Sequence, residues 1–129
     1  MAKKILVVED DPTSLKFLEL ILNKEGYQVM TASNGLEGLR KAKQESPDLL
    51  ILDVMLPGFD GFEICHRLRI EPNTAELPIL MLSAKGQESD QNTAARVGAN
   101  AFLSKPVDRI VLLNKVTEFL GGQKDPNAT

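Results

Sequence analysis

Short apolar runs alternate along this chain with longer stretches in which apolar residues return every three or four positions. Lys4 to Val8 is a β-rich run that ends in Glu9-Asp10-Asp11. Asp11-Pro12 then reads as a helix start, Asp at the N-cap and Pro at the first helical position, with Leu15, Leu18, Ile21 and Leu22 at helical spacing and Gly26 as the stop. Gln28 to Ala32 predicts a second strand, and Asn34 caps a helix carrying Leu36, Leu39 and Ala42, closed by Ser46-Pro47. Asp48 to Asp53 is the third strand, apolar from Leu49 until it stops at the carboxylate of Asp53, which suits a strand buried on both faces of a parallel sheet. Leu56-Pro57-Gly58-Phe59 has the Pro-Gly order of a type II turn, and Asp60 caps a helix from Gly61 to about Ile70 with Phe62, Cys65 and Leu68 inward. Glu71 to Leu77 reads as a polar loop. Pro78 to Leu82 is the fourth strand and ends at Ser83; Ser89 to Val97 is a less apolar helix stopped by Gly98. Ala101 to Leu103 is the fifth strand, followed by Ser104-Lys105-Pro106, and Asp108 to Leu120 is the last helix. The domain is therefore placed at 1–121, with 122–129 a flexible tail or the start of a linker.

Five strands alternating with five helices imply a parallel sheet covered on both faces. The 129 residues suffice for one domain with its own core. Hydrophobic residues at 43% and charged residues at 26% fit a globular protein, and a net charge of −3 gives no electrostatic case for binding nucleic acid. The one cysteine, Cys65, fits a reducing compartment, and Ile5 to Val8 is too short an apolar run for a signal peptide or a membrane span. A cytoplasmic location is expected.

The chemistry lies at the strand ends. A parallel sheet brings all strand C-termini to one edge, so Glu9, Asp10, Asp53, Ser83 and Lys105 should converge there. Three carboxylates within about 5 Å repel by roughly 3 kcal/mol per ionised pair at an effective dielectric near 20. Either one stays protonated or a cation neutralises them. Oxygen donors without Cys or a usable His select a hard ion, Mg²⁺ with Mn²⁺ as the alternative. Lys105 adds a second positive charge, Ser83 a hydroxyl, and Asp53 a carboxylate able to form an aspartyl-phosphate: the parts of phosphoryl transfer. No G-x-G-x-x-G follows the first strand, and its acidic replacement weighs against a dinucleotide or FMN site. Taken alone, each residue has a plainer role: Asp53 or Asp11 as a cap, Ser83 in a turn, Lys105 solvated, Phe102 and Cys65 in the core, His66 on the outer helix face.

Taken together, Val7-Val8-Glu9-Asp10-Asp11, Leu52-Asp53-Val54-Met55-Leu56-Pro57-Gly58-Phe59-Asp60-Gly61, Leu82-Ser83-Ala84 and Ser104-Lys105-Pro106 make the chain resemble the receiver domain of two-component response regulators, chemotaxis regulators included, from Lys4 to Leu120. The resemblance implies a flavodoxin-like (βα)5 three-layer sandwich with strand order 2-1-3-4-5. It implies that Asp53 takes a phosphoryl group from the phosphohistidine of a histidine kinase or phosphotransfer protein. Mg²⁺ would be held by Asp10, Asp53 and the backbone carbonyl of Met55, with Glu9 reaching it through water. Ser83 would bond a phosphoryl oxygen, Lys105 would pair with the phosphoryl charge, and Phe102 would be the switch aromatic, lacking the hydroxyl of the commoner Tyr. The Lys105-Pro106 bond would be cis. The face of the fourth helix, fifth strand and fifth helix would signal to an output protein or domain, with a phosphorylation-dependent homodimer left open and no direct nucleic-acid or membrane contact. Its only catalysis would be its own phosphorylation and dephosphorylation. Met55 and Lys85 would flank the path of the hydrolytic water, and since Met cannot orient water, a long-lived phosphate is expected. Two alternatives stand beside this: a Mg²⁺-dependent phosphatase with an aspartyl nucleophile, which would carry a second Asp where Met55 stands, and a phosphate-independent interaction module of the same fold.

Overall fold

The apolar runs form one parallel sheet in the computed structural model, which describes residues 2–84 and 88–121. Its strands are β1 (Lys4–Val8), β2 (Gln28–Ala32), β3 (Leu49–Asp53), β4 (Ile79–Ala84) and β5 (Ala101–Lys105), in the order β2-β1-β3-β4-β5. Helices α1 (Pro12–Lys24), α2 (Gly35–Gln44), α3 (Gly61–Ile70) and α4 (Glu88–Val97) connect them, and α5 (Arg109–Leu120) follows the last strand. The flavodoxin-like order 2-1-3-4-5 is thus observed.

The central strands have no wet face, and their alternation divides the core in two. Leu6, Val8, Leu50, Leu52, Ile79 and Met81 pack under α2, α3 and α4 with Leu39, Ala42, Ile64, Cys65, Leu68 and Ala94. Ile5, Val7, Leu49, Ile51, Leu80 and Leu82 meet Leu18, Leu22, Leu112 and Val116 of α1 and α5 on the other side. Each buried aliphatic side chain contributes about 1.5–3 kcal/mol relative to exposure. A register slip of one residue would exchange the two sets, so the strand ends are fixed relative to one another. Asp53 lies opposite Leu82, and Lys105 opposite Ala84.

Local chemistry ends the helices where the sequence indicated. Asp11, Asn34, Asp60 and Asp108 each accept a hydrogen bond from a backbone N–H of the first turn, and Gly26 and Gly98 take left-handed φ values of 96° and 102° after α1 and α4. Four expectations need correction. Leu36 points outward, 66% exposed, because the inward face of α2 is made by Gly35, Gly38, Leu39 and Ala42. A Cβ on Gly38 would stand 2.7 Å from Val8 Cγ2, so α2 lies too close to β1 for a side chain there. Strands β4 and β5 run on through Ser83 and Lys105, since both continue their mutual pairing to Ala84 and Lys105. Glu71–Leu77 is not simply polar: Thr74 is buried and its hydroxyl donates to Leu68 O. Finally, Met55–Leu56 and Phe59–Asp60 form a small antiparallel ladder around Pro57-Gly58, with Gly58 at φ 72°. Lys85 and the expected tail 122–129 lie outside the described residues.

Candidate functional site

Lys105 decides the geometry at the C-terminal rim. Its ammonium donates to Glu9 Oε1 at 2.8 Å and to Asp53 Oδ2 at 2.6 Å. Glu9 and Asp53 are only 1% and 3% exposed, so the Lys105 cation bridges two buried acids. Their other oxygens are held by backbone: Asp11 N donates to Glu9 Oε2 and Met55 N to Asp53 Oδ1, both at 3.1 Å. Burial alone would lower the pKa of Lys105. The hydrogen bonds and charges of Asp53 and Glu9 outweigh it and hold the ammonium above the ordinary lysine value.

Asp10 completes the acid group from the exposed side. One carboxylate oxygen from each of Glu9, Asp10 and Asp53 falls within 4.8 Å of the others, the crowding foreseen from the strand ends. The donors are all carboxylate oxygens, and this is the only such group among the described residues. Such a set fits a small hard dication. The loop after β3 shapes the entrance. Gly61 N donates to Val54 O at 2.9 Å, and a Cβ on Gly61 would collide with the Asp53 carbonyl oxygen. Only glycine lets the start of α3 approach the end of β3 so closely. A cavity of about 610 Å³ opens between Asp10, Met55, the Pro57-Gly58 turn, Phe62 and Asp90, and Met55 is 73% exposed at its mouth.

Ser83 sits on β4, next to β3, 1% exposed. Its hydroxyl donates to Asp90 Oδ2 of α4 at 2.5 Å. Phe102 is half-buried on β5 and packs against the core beneath α4. The Lys105–Pro106 peptide is cis, as the resemblance implied. All the strand-end residues singled out in the sequence are therefore at the rim. Asp90 was missed there; it is one polar residue among several in α4, and nothing in its neighbours sets it apart.

The model of the response regulator receiver domain matches residues 5–117. The chain belongs to that family. It is a receiver domain of two-component response regulators, homologous to phosphoacceptor domains of the CheY type. Protein PilH of Pseudomonas aeruginosa is 38% identical over 119 residues, which cover 92% of this receiver and 98% of PilH. Other relatives are longer: the receiver spans 43% of the transcriptional regulatory protein PhoP of Bacillus subtilis, at 47% identity. A putative response regulator from Chloroflexus aurantiacus superposes with a TM-score of 0.90 at 41% identity, over 94% of this chain and 99% of that one. The receiver domain of sensor histidine kinase PA1611 from Pseudomonas aeruginosa superposes with a TM-score of 0.86 at 29% identity, over 94% and 99% of the two chains. That structure carries a magnesium ion coordinated in its active-site cleft. Receiver domains bind Mg²⁺ at the acidic pocket, are signalling modules, and work with histidine kinases and output domains. No helix among the described residues is long and apolar enough to cross a membrane.

Proposed function

We propose that Asp53 is the phosphoacceptor of this receiver. The observation that carries the reading is the Lys105 ammonium held against the Asp53 carboxylate at the rim where Asp10 and Glu9 gather. A carboxylate oxygen of Asp53 attacks the phosphorus of a phosphohistidine. The phosphorus–oxygen bond forms as the phosphorus–nitrogen bond breaks, and the electron pair leaves with the imidazole nitrogen, which takes up a proton. Lys105 pairs with the phosphoryl charge, and the Ser83 hydroxyl donates to a phosphoryl oxygen. Asp10, Asp53 and the Met55 carbonyl, with Glu9 through water, are the groups that would hold Mg²⁺, or Mn²⁺ in its place. The bound ion supplies charge neutralisation for the phosphoryl oxygens.

The donor is a sensor histidine kinase or a phosphotransfer protein, and the domain catalyses no turnover beyond its own phosphorylation and dephosphorylation. Phosphorylation biases the face of α4, β5 and α5, with Phe102 following Ser83, and that face docks an output protein, an output domain or a second copy of the chain. The domain ends at residue 121 and the setting is cytoplasmic. Incubation with acetyl phosphate and Mg²⁺, read by intact mass, tests this. The parent chain should gain one phosphoryl group; Asp53→Asn, or the parent in EDTA, should gain none. An Asp53→Asn chain that labels like the parent removes Asp53 from the role.

A further inference from the structure

Asp90 answers to nothing in the chemistry above, yet it holds one of its groups. The Ser83 hydroxyl gives its proton to Asp90 Oδ2. Asp90 stands in the first turn of α4 and lines the same cavity as Asp10 and Met55. A hydroxyl has a single proton to donate, and an ionised carboxylate can only accept. The proton engaged by Asp90 is therefore the one that a phosphoryl oxygen on Asp53 would need. We propose that Asp90 is a positioning residue that withholds the Ser83 hydroxyl from the acceptor pocket and ties the first turn of α4 to β4 until a phosphoryl group competes the proton away. This inference rests on the reading of Asp53 and Ser83 given above.

Two further observations give the tie its leverage. Ala94 is the one fully buried residue of α4 among those described, with Val97 partly buried against the same core, so α4 has fewer fully buried side chains than α1, α2, α3 or α5. Both lie in its C-terminal half, so the bond to Asp90 is what fastens its first turn to the sheet among the described contacts. The competition is also one-sided. A phosphoryl group brings nearly two negative charges beside a cavity that the Asp90 carboxylate lines, so the group that attracts the hydroxyl also repels its present partner.

Beryllofluoride with Mg²⁺, a phosphoryl mimic, provides the test on the full chain, its affinity read by calorimetry. Asp90→Ala should tighten binding about tenfold, the scale of a hydrogen bond to a charged group. Asp90→Asn, of the same shape with an acceptor but no charge, should tighten it by about threefold and serves if Asp90→Ala fails to fold. In a Ser83→Ala background the hydroxyl is gone, and either change should tighten binding by no more than about twofold. A merely structural or through-space effect of Asp90 would act in both backgrounds alike. Equal factors in the two backgrounds, or weaker binding in the Asp90 variants, overturn the proposal. If the parent does not bind beryllofluoride, or Asp53→Asn binds it equally well, the reading of Asp53 itself fails and takes this inference with it.

Discussion

Replacing Lys105 by Met asks how much of the domain's stability lies in neutralising its own acids. The substitution keeps most of the aliphatic stem and removes the ammonium that bridges Glu9 and Asp53. The two buried carboxylates are then left with oxygens no more than 4.8 Å apart. At an effective dielectric near 20, unit charges at that separation repel by about 3.5 kcal/mol. The loss of two charge-assisted hydrogen bonds adds to this, and water entering beside a partly exposed side chain offsets part of it, which leaves a net cost of about 3 kcal/mol. For a domain of this size, 1 kcal/mol moves the midpoint by about 4 °C, so Tm in EDTA should fall by about 12 °C. Saturating Mg²⁺ binds the folded state and resupplies positive charge, and should restore more than half of that loss. Thermal unfolding followed by circular dichroism, with EDTA and with Mg²⁺, makes the comparison. A deficit of the same size in both conditions would refute the reasoning, because the cost would then come from lost packing rather than from uncompensated acids.

The remaining expectations concern the loop, the alkaline limb and the lifetime of the phosphate. Gly61→Ala should cost about 1–3 kcal/mol in urea unfolding, since its Cβ would meet backbone atoms of Asp53 and Val54 that no rotamer change can clear; an unchanged midpoint would contradict that crowding. Lys105 and Tyr27 both have pKa values raised by folding: burial raises Tyr27, while the acids around Lys105 overcome its burial. Their stabilisation is present below the unfolded values, about 10 for Tyr and about 10.4 for Lys, and is lost as pH rises through the folded ones. Stability measured by urea unfolding should therefore fall less steeply above about pH 10 in Tyr27→Phe and in Lys105→Met than in the parent. Met55→Asn places a hydrogen-bonding side chain at the exposed mouth of the cavity and should shorten the life of the Asp53 phosphate, timed by loss of the phosphorylated mass; equal decay in the two chains would reject a shielding role for Met55.

What could be read from the sequence was set by how far each determinant reaches along the chain. The caps Asp11, Asn34, Asp60 and Asp108 bond amides two or three residues away, so their roles are written locally. The rim was legible for a similar reason: the apolar strands β1 and β3 run into Glu9 and Asp53, and a parallel sheet leaves their ends no other place to go. Leu36 misled because the closeness of α2 to the sheet depends on Gly35 and Gly38 meeting Phe59 and Val8, contacts between elements distant in sequence. The ladder beside the Pro57-Gly58 turn escaped because two residues per strand give no period to detect. Asp90 escaped because its partner lies across the β4–α4 connection, and only the placed helix brings the two together.

The two groups that would receive a phosphoryl group start from unequal positions, and this inequality decides which one can signal. Lys105 is paired with Asp53 already. A phosphoryl group on Asp53 leaves negative charge in the same place, so the lysine keeps a partner in both states and its interaction changes mainly in strength. An event biases two conformations only through interactions that differ between them. Ser83 would differ: its proton lies with Asp90 in this structure and would lie with the phosphoryl group on a phosphorylated Asp53, and Asp90 belongs to a helix with a single fully buried side chain among those described. Lys105 should therefore set how readily Asp53 is phosphorylated, whereas Ser83 and Asp90 should set how far α4 responds. Removing Lys105 and cutting the Ser83–Asp90 tie should accordingly change different observables, the first the extent of phosphorylation and the second the position of α4 at a given extent.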